Sequence, residues 1–421
     1  LVGVVLLAIG LAKPAIALVG VGAVCIFVGV AMLSPAVARP ISSVIGRPLA
    51  RVLGEPGKLG RENSMRSPRR TAQTASALMV GLALVAAMSV FGASLSKSAT
   101  SSADQAISAD LIVTPTGSGQ LSDSTAATAS AVPGVTTTTT FYGGQFEFQN
   151  TLATLTAVST PHLADTVILR MTGGSPAALA EGELLIDSAT ATSKHLSVGD
   201  TVQSRFARTG PAVLRIGGIY QANALIGRYL VSAGFFLAHF SQQPPAGLLL
   251  RTNGSSAVDS AVTRALAPYP NLQVQTRAQF EQTQVAGVNQ LLGLVYALLA
   301  LAVLIALIGI VNTLMLSVFE RTREIGLLRA VGMKRRQVRT MVRSEAVILA
   351  IFGAIIGIII GTGMGVALVS SLKQQGITDT VVPASSLVIF LLLAALLGLV
   401  AASWPARRAA RLDVLAAIAA E

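Results

Sequence analysis

"ERTREIGLLRAVGMKRRQVR", residues 320–339, is the densest charge cluster in a chain otherwise dominated by apolar side chains. One apolar run, 286–319, ends where the cluster starts, and another, 346–371, begins just after it. Helix formers fill the stretch as far as Val331, and Gly332 suits a left-handed helix stop. The expectation is a helix of about three turns held between two membrane spans. A second, basic helix then starts near Met333 and enters the membrane near Glu345. Ile325, Leu328 and Val331 share one side of the short helix, while Leu327 and Ala330 widen its apolar arc past half the circle. A helix lying on a membrane surface separates its faces more cleanly. From these residues alone two readings stay open: an inside-positive loop, or a docking helix for a cytoplasmic partner.

The flanking runs set the class. Of 421 residues, 52% are hydrophobic and 12% charged, and the mean hydropathy is +0.68. Ordinary soluble domains carry about 25% charged residues, so an integral membrane protein is expected. The single cysteine, Cys25, excludes an intrachain disulfide framework and a thiolate metal site. His162, His195 and His239 lie far apart without ligand spacing, so no metal site is expected. A bilayer span takes about 20 apolar residues. Residues 1–36 read as a hairpin whose first helix is short, turning at Lys13-Pro14, and further spans are read at 73–95, 286–319, 346–371 and 387–404. The chain opens on Leu1 inside an apolar run, with no basic leader or cleavage site. It reads as a fragment or a processed chain.

Basic residues orient these spans. Of the 31 Lys and Arg, eight lie in 37–72, eight in 320–345 and three in the tail, 405–421. With the seven acidic residues of the same segments they net +12, the charge of the whole chain. Residues 96–285 carry ten basic and eleven acidic side chains. Short loops rich in Lys and Arg stay inside, so 37–72, 320–345 and 405–421 are expected in the cytoplasm and 96–285 outside. The charge is then a topology signal and a contact with lipid headgroups, which removes the nucleic-acid reading.

The outer region reads as α+β. "ADLIVTP" is strand-like, and "LSDSTAATASAVPGV" is a capped helix stopped at Pro133-Gly134. The β-branched stretch 136–148 is split by Gly143-Gly144, which predicts a hairpin there. Strand, helix, Gly199-Asp200 turn and strand follow in 182–206, then strands in "AVLRIGGIY", "GLLLRT" and "NLQVQT", with a helix at "SAVDSAVTRALAPYP". No nucleophile elbow, paired carboxylates or HExxH occurs, so no catalytic residue is assigned. The expected fold class is an α-helical membrane bundle with an inserted extracytoplasmic α+β domain. The complete spans contain no Asp, Glu, Lys, Arg or His, which argues against a carrier that moves ions through the bundle. Gly353, Gly357 and Gly361 recur every four residues and offer a smooth helix-packing face, either for a seam within this chain or for one with a second half.

"ERTREIGLLRAVGMKRRQV" closely resembles the cytoplasmic coupling helix of FtsX-like/MacB-like permeases of ABC transporters. Three further stretches carry the same resemblance in the same order. "LGRENSMRSPRRTAQTASALMVGLAL" (59–84) resembles the amphipathic helix that leads into the first span. "GELLIDSATATSKHLSVGDTV" resembles a piece of the outer domain, and "WPARRAARLDVLAAI" (404–418) the C-terminal signature. The likeness covers about 51–421. It implies a permease of the type VII ABC class in the bacterial plasma membrane, without its own ATPase motifs. The "GEPGKLG" stretch, 54–60, lacks GxxxxGK[ST] and reads as a turn in a basic loop.

The resemblance further implies a separate cytoplasmic ATPase dimer that holds ATP and Mg, while this chain binds no cofactor. Glu320, Arg321, Arg323, Glu324, Gly326, Arg329 and Gly332 would dock that ATPase, and Glu345 matches an acidic position at the start of the next span. Arg61, Asn63, Arg66, Arg69 and Arg70 would anchor the leading helix at the headgroups. Partners would be the ATPase, a second permease repeat or chain, membrane lipids and an extracytoplasmic protein. Residues 1–36 resemble the extra helix pair joining two repeats in ten-helix members. In such families ATP-driven closure moves the coupling helix and the spans pass the motion outward, a mechanotransmission that serves export or extraction of lipid-like, peptide or lipoprotein substrates. The alternative is a regulator that switches an outer partner, such as a cell-wall hydrolase, and transports nothing.

Overall fold

The computed structural model describes residues 1–12, 16–66, 68–117, 120–223, 225–240, 243–373 and 377–412. The expected Lys13-Pro14 turn and the tail beyond Leu412 lie outside the described residues. Helices α1 (Val2–Ala12), α2 (Ile16–Leu53), α3 (Glu55–Arg66) and α4 (Pro68–Ala106) come first. They are followed by β1 (Leu111–Pro115), α5 (Asp123–Ser130), β2 (Val135–Phe148), β3 (Thr151–Val158), α6 (Leu163–Thr166), β4 (Met171–Gly174), β5 (Leu184–Asp187), α7 (Ser188–Lys194), β6 (Thr201–Phe206) and β7 (Gly210–Tyr220). Then come β8 (Tyr229–Ser232), α8 (Ala233–His239), β9 (Gly247–Thr252), α9 (Ser256–Leu266) and β10 (Leu272–Thr276). The chain continues through α10 (Arg277–Glu320), α11 (Thr322–Ala330), α12 (Arg335–Ser371), α13 (Ala384–Ala401) and α14 (Ser403–Ala410). It divides into two compact units: Leu1–Ser94 with Asn289–Leu372 and Thr380–Glu421, and Leu95–Val288 with Lys373–Asp379.

The first unit is helical. Among the described residues α2, α4, α10, α12 and α13 are long and apolar enough to cross a membrane. Helix α12 lies at its centre. A Cβ on Gly353 would meet Ala75 O at 2.8 Å, one on Gly357 Met79 O at 2.6 Å, and one on Gly365 Ala87 O at 2.9 Å; Gly361 likewise faces Ala83 O. The backbones of α12 and α4 therefore touch along one seam within this chain, as small-residue stripes allow. Gly398 brings α13 equally close, against the Ala350 Cβ. Leu78, Ala306, Ile310, Ala346, Ala350 and Ala394 fill the space between these helices.

Three expectations are corrected here. The span expected to end at residue 36 continues in α2 to Leu53, past Pro35, Pro40 and Pro48. Proline lacks the N–H that would bond the carbonyl four residues back. At Pro35 that orphan is Ala31 O, and the Ser34 hydroxyl donates to it at 2.7 Å. The "GEPGKLG" stretch is not a loop: Gly54 (φ +65) closes α2, and α3 starts at Glu55. Its glycines are close-approach sites, since a Cβ on Gly57 would meet Leu49 O at 2.6 Å and one on Gly60 Met341 O at 2.9 Å. Finally, the apolar run expected from residue 286 is the later part of a helix that begins at Arg277.

The second unit is built on one ten-stranded sheet in the order β10-β1-β9-β2-β3-β8-β5-β7-β4, with β6 pairing both β2 and β7. Strands β2, β3, β8, β5, β7 and β6 thereby close into a six-stranded barrel. Its interior holds Phe146, Phe148, Leu155, Ile186, Phe206 and Tyr229, packed as aromatic pairs with centroids 4.6–5.9 Å apart. Helices α5 and α9 cover the β10-β1-β9 end through Leu111, Val113, Ala129, Leu250, Val258 and Val262. The hairpin predicted at Gly143-Gly144 is corrected. Both glycines lie inside β2, and the turn is Gln149–Asn150, flanked by the Phe148–Thr151 pair. Gly144 is needed for space, since a Cβ there would meet the Phe240 and Phe236 rings at 2.8 and 2.9 Å.

Candidate docking site

Helix α11 is short because both of its ends are built stops. At its start Arg321 leaves helical geometry (φ −106, ψ 18), and the Thr322 hydroxyl donates back to Phe319 O at 2.8 Å. At its end Gly332 takes φ +108. The Met333 N–H bonds Leu328 O at 3.0 Å, and the Gly332 N–H bonds Arg329 O at 3.1 Å. This is a Schellman motif, with Met333 and Leu328 supplying the apolar contact that accompanies it. No neighbour lies within 4 Å of a Cβ placed on Gly332, so the glycine there serves the backbone conformation and not packing. Helix α12 then starts with the Gln337 side chain accepting from the Lys334 N–H at 2.8 Å.

One face of α11 is buried. Ile325 joins Val318, Val338, Met341, Ala406 and Ala409, which pins α11 to the ends of α10, α12 and α14. Arg408 of α14 sits 5.2 Å from the Phe319 ring centroid, within reach of a cation–π contact. The opposite face is open: Val331 is 89% exposed, Leu327 49%, and Arg323, Glu324 and Ala330 are exposed beside them. Leu327 and Val331 stand one turn apart and so form a single apolar step between charges.

Arg321 ties this helix to its surroundings. Its Nε donates to Glu324 Oε2 at 2.9 Å, its Nη2 donates to Asn63 Oδ1 at 2.7 Å, and its Nη1 lies 3.8 Å from Glu345 Oε2. One guanidinium thus joins α3, α11 and α12 with its fork of donors. Arg329 donates to Leu412 O, tying α11 to the chain after α14. A groove of about 340 Å³ runs along α11, bounded by Leu59, Arg66, Leu327, Leu328, Val331 and Met341.

The sequence-predicted residues fall into distinct places. Glu320, Arg321, Arg323, Glu324, Gly326, Arg329, Gly332 and Glu345 are gathered on and around α11; Gly326 is buried and Glu320 exposed. Of the expected headgroup anchors, Arg66 and Arg69 are exposed, and the Arg70 side chain lies outside the described residues. Arg61 packs its stem on α2, where a Cβ on Gly46 would meet Arg61 Cγ at 2.5 Å. Asn63 is not on the surface: it is buried, because its carboxamide oxygen is the acceptor for Arg321. That inward role carries no sequence signal beyond an amide among charges. Among the described residues no group of His, Cys, Asp or Glu is arranged to hold a metal.

Known proteins resemble the chain in both units. The family described as FtsX-like permease C-terminal matches residues 296–414, and the one described as MacB-like periplasmic core domain matches 71–284, half of the chain. A pyoverdine export ATP-binding/permease protein, PvdT, of Pseudomonas syringae pv. tomato is 29% identical over 189 residues, 43% of this chain and 28% of the relative. A macrolide export ATP-binding/permease protein, MacB, of Hyphomonas neptunium is 34% identical over 145 residues, 34% of this chain and 21% of the relative. The chain therefore spans between a fifth and a third of the length of these relatives. The periplasmic region of MacB from Actinobacillus actinomycetemcomitans aligns with 42% of the chain and 93% of its own length, at 15% identity and a TM-score of 0.33.

Proposed function

The chain belongs to the FtsX-like, MacB-like permease family, and on that premise we propose that it is the membrane part of an ATP-driven exporter whose motor docks on α11. The observation that carries this reading is the open face of α11. A helix stopped at both ends, fixed to three others on one side and presenting Leu327, Val331, Arg323 and Glu324 on the other, has the form of a handle. The occupant is a cytoplasmic ABC ATPase dimer, which holds ATP and Mg; no cofactor belongs to this chain. Closure of that dimer pushes α11, and the Arg321 bonds carry the push into α3 and α12. The motion then reaches the outer domain by mechanotransmission through the spans. The complete spans carry no Asp, Glu, Lys, Arg or His, which supports a substrate handled outside the bundle, of lipid-like, peptide or lipoprotein kind.

The test is co-purification of the membrane protein with the ATPase encoded beside it, read together with ATPase rate. Leu327→Asp, Val331→Asp and Glu324→Lys are expected to abolish both assembly and stimulation while the helix content of the permease stays unchanged. If all three variants assemble and stimulate like the parent, α11 is not the docking element.

A further inference from the structure

Beside Arg321 the helical unit contains a cavity of about 230 Å³. Its wall includes Asn63, Arg66, Ser317, Glu324 and Glu345, with Leu314 and Leu349 adding apolar surface. Asn63 is 9% exposed. Its Oδ1 is committed to Arg321, yet its Nδ2 is buried without a hydrogen-bond partner among the described residues. A buried donor left unmade costs about 1–3 kcal/mol, so this amide calls for an acceptor from outside the chain. Arg66, on the same wall, is exposed and has no ion pair among the described residues. Arg321 directs its fork toward Glu324 and Glu345, and the Glu324 carboxylate is about half exposed. The cavity thus offers donors for an anion and carboxylates for a cation.

The position of the wall residues narrows the ligand. Ser317 lies at the end of the apolar run of α10 and Glu345 at the start of the apolar run of α12, the level at which headgroups meet hydrocarbon. On the wall itself Leu314 and Leu349 supply apolar surface directly beside the polar groups, where the acyl part of a ligand at that level would begin. A volume of about 230 Å³ has room for a group of several heavy atoms and not merely for a single ion or water. A phosphate joined by two carbons to a nitrogen is a group of that size.

We propose that this cavity binds the headgroup of a phospholipid that carries a phosphodiester and a primary ammonium, as phosphatidylethanolamine does. The phosphate takes the Asn63 Nδ2–H and Arg66; the ammonium donates to Glu324 and Glu345. A trimethylated nitrogen has no N–H to donate and needs more room.

The test uses the full chain in detergent micelles, with native mass spectrometry reading retained lipid after exposure to dioleoyl phosphatidylethanolamine, phosphatidylcholine or phosphatidylglycerol. Ethanolamine lipid is expected to be retained roughly tenfold over the other two, the worth of one charge-assisted hydrogen bond. Asn63→Asp, which keeps an acceptor for Arg321 and deletes the donor, is expected to bring retention down to the phosphatidylcholine level. Should that variant fail to fold, Ser317→Leu, which fills the cavity, is expected to do the same. Equal retention of the three lipids by the parent, or unchanged preference in Ser317→Leu, overturns the proposal. Free phosphoethanolamine is the remaining arm: a thermal shift with it and none with the lipid overturns the lipid assignment. No ATPase is present, so the outcome is separate from that of the docking reading.

Discussion

Arg321 donates to Glu324 and to Asn63 and stands in ion-pair range of Glu345, which is only 14% exposed behind it. A planar fork can do this and a single ammonium cannot. Arg321→Ala leaves the Asn63 carboxamide oxygen to be resatisfied by water and is expected to lower stability by about 1–3 kcal/mol. Arg321→Lys recovers only part of that loss, because one nitrogen cannot reach Glu324, Asn63 and Glu345 together. Thermal unfolding followed by the helix signal in micelles separates the three proteins; equal midpoints for the Arg and Lys forms would remove the bridging role. Nothing in the sequence marks Arg321 above its seven basic neighbours. Its rank comes from Asn63, 258 positions away, being brought beside it by α3.

Among the elements, the β2–β3 hairpin turns on two residues that both hold positive φ, Gln149 at 47° and Asn150 at 62°. A two-residue turn of this kind favours Asn-Gly, and Gln149 is the poorer fit. Gln149→Asn with Asn150→Gly is expected to stabilise the barrel by about 0.5–1 kcal/mol. Slower hydrogen exchange in 135–158 is the measurement, and faster exchange there would count against the assigned turn. Periodicity made most other strands legible and Gly332 marked the end of α11, because those signals are local, whereas nothing in the sequence marked the break at Arg321 that starts it. The Gly143-Gly144 pair misled because a glycine that makes a turn and a glycine that makes room for Phe236 and Phe240 look alike in sequence. Helix α2 defied its prolines for a similar reason: the Ser34 hydroxyl that answers Ala31 O is visible only once the helix exists.

For the whole molecule, the charge tally and the family agree on a multi-pass membrane protein with one large extracytoplasmic insert. Because Cys25 is the sole cysteine, Cys25→Ser gives a clean background for labelling. A membrane-impermeant maleimide is expected to modify Val213→Cys, at an exposed barrel position, in intact spheroplasts. It should reach Ala330→Cys on α11 only after permeabilisation. Labelling of both before permeabilisation would overturn the orientation.

The seam between α12 and α4 has one more property. Gly353, Gly357, Gly361 and Gly365 face positions 75, 79, 83 and 87, so both surfaces repeat with the same four-residue period. Sliding one helix past the other by a turn, about 6 Å, brings glycines opposite small or flexible side chains again. The glycine stripe by itself does not distinguish one alignment from the next. Polar bonds at the two ends add marks of their own: Arg321 ties Glu345 of α12 to Asn63 of α3 at one, and at the other the Ser94 hydroxyl of α4 accepts from the Val381 N–H, just before α13, at 2.9 Å. Position along the membrane normal is therefore held by the side chains interlocked beside the stripe, Leu78, Phe352 and Ile356 among them, and by a few polar bonds at the rims, while the stripe itself offers no mark that would resist a step.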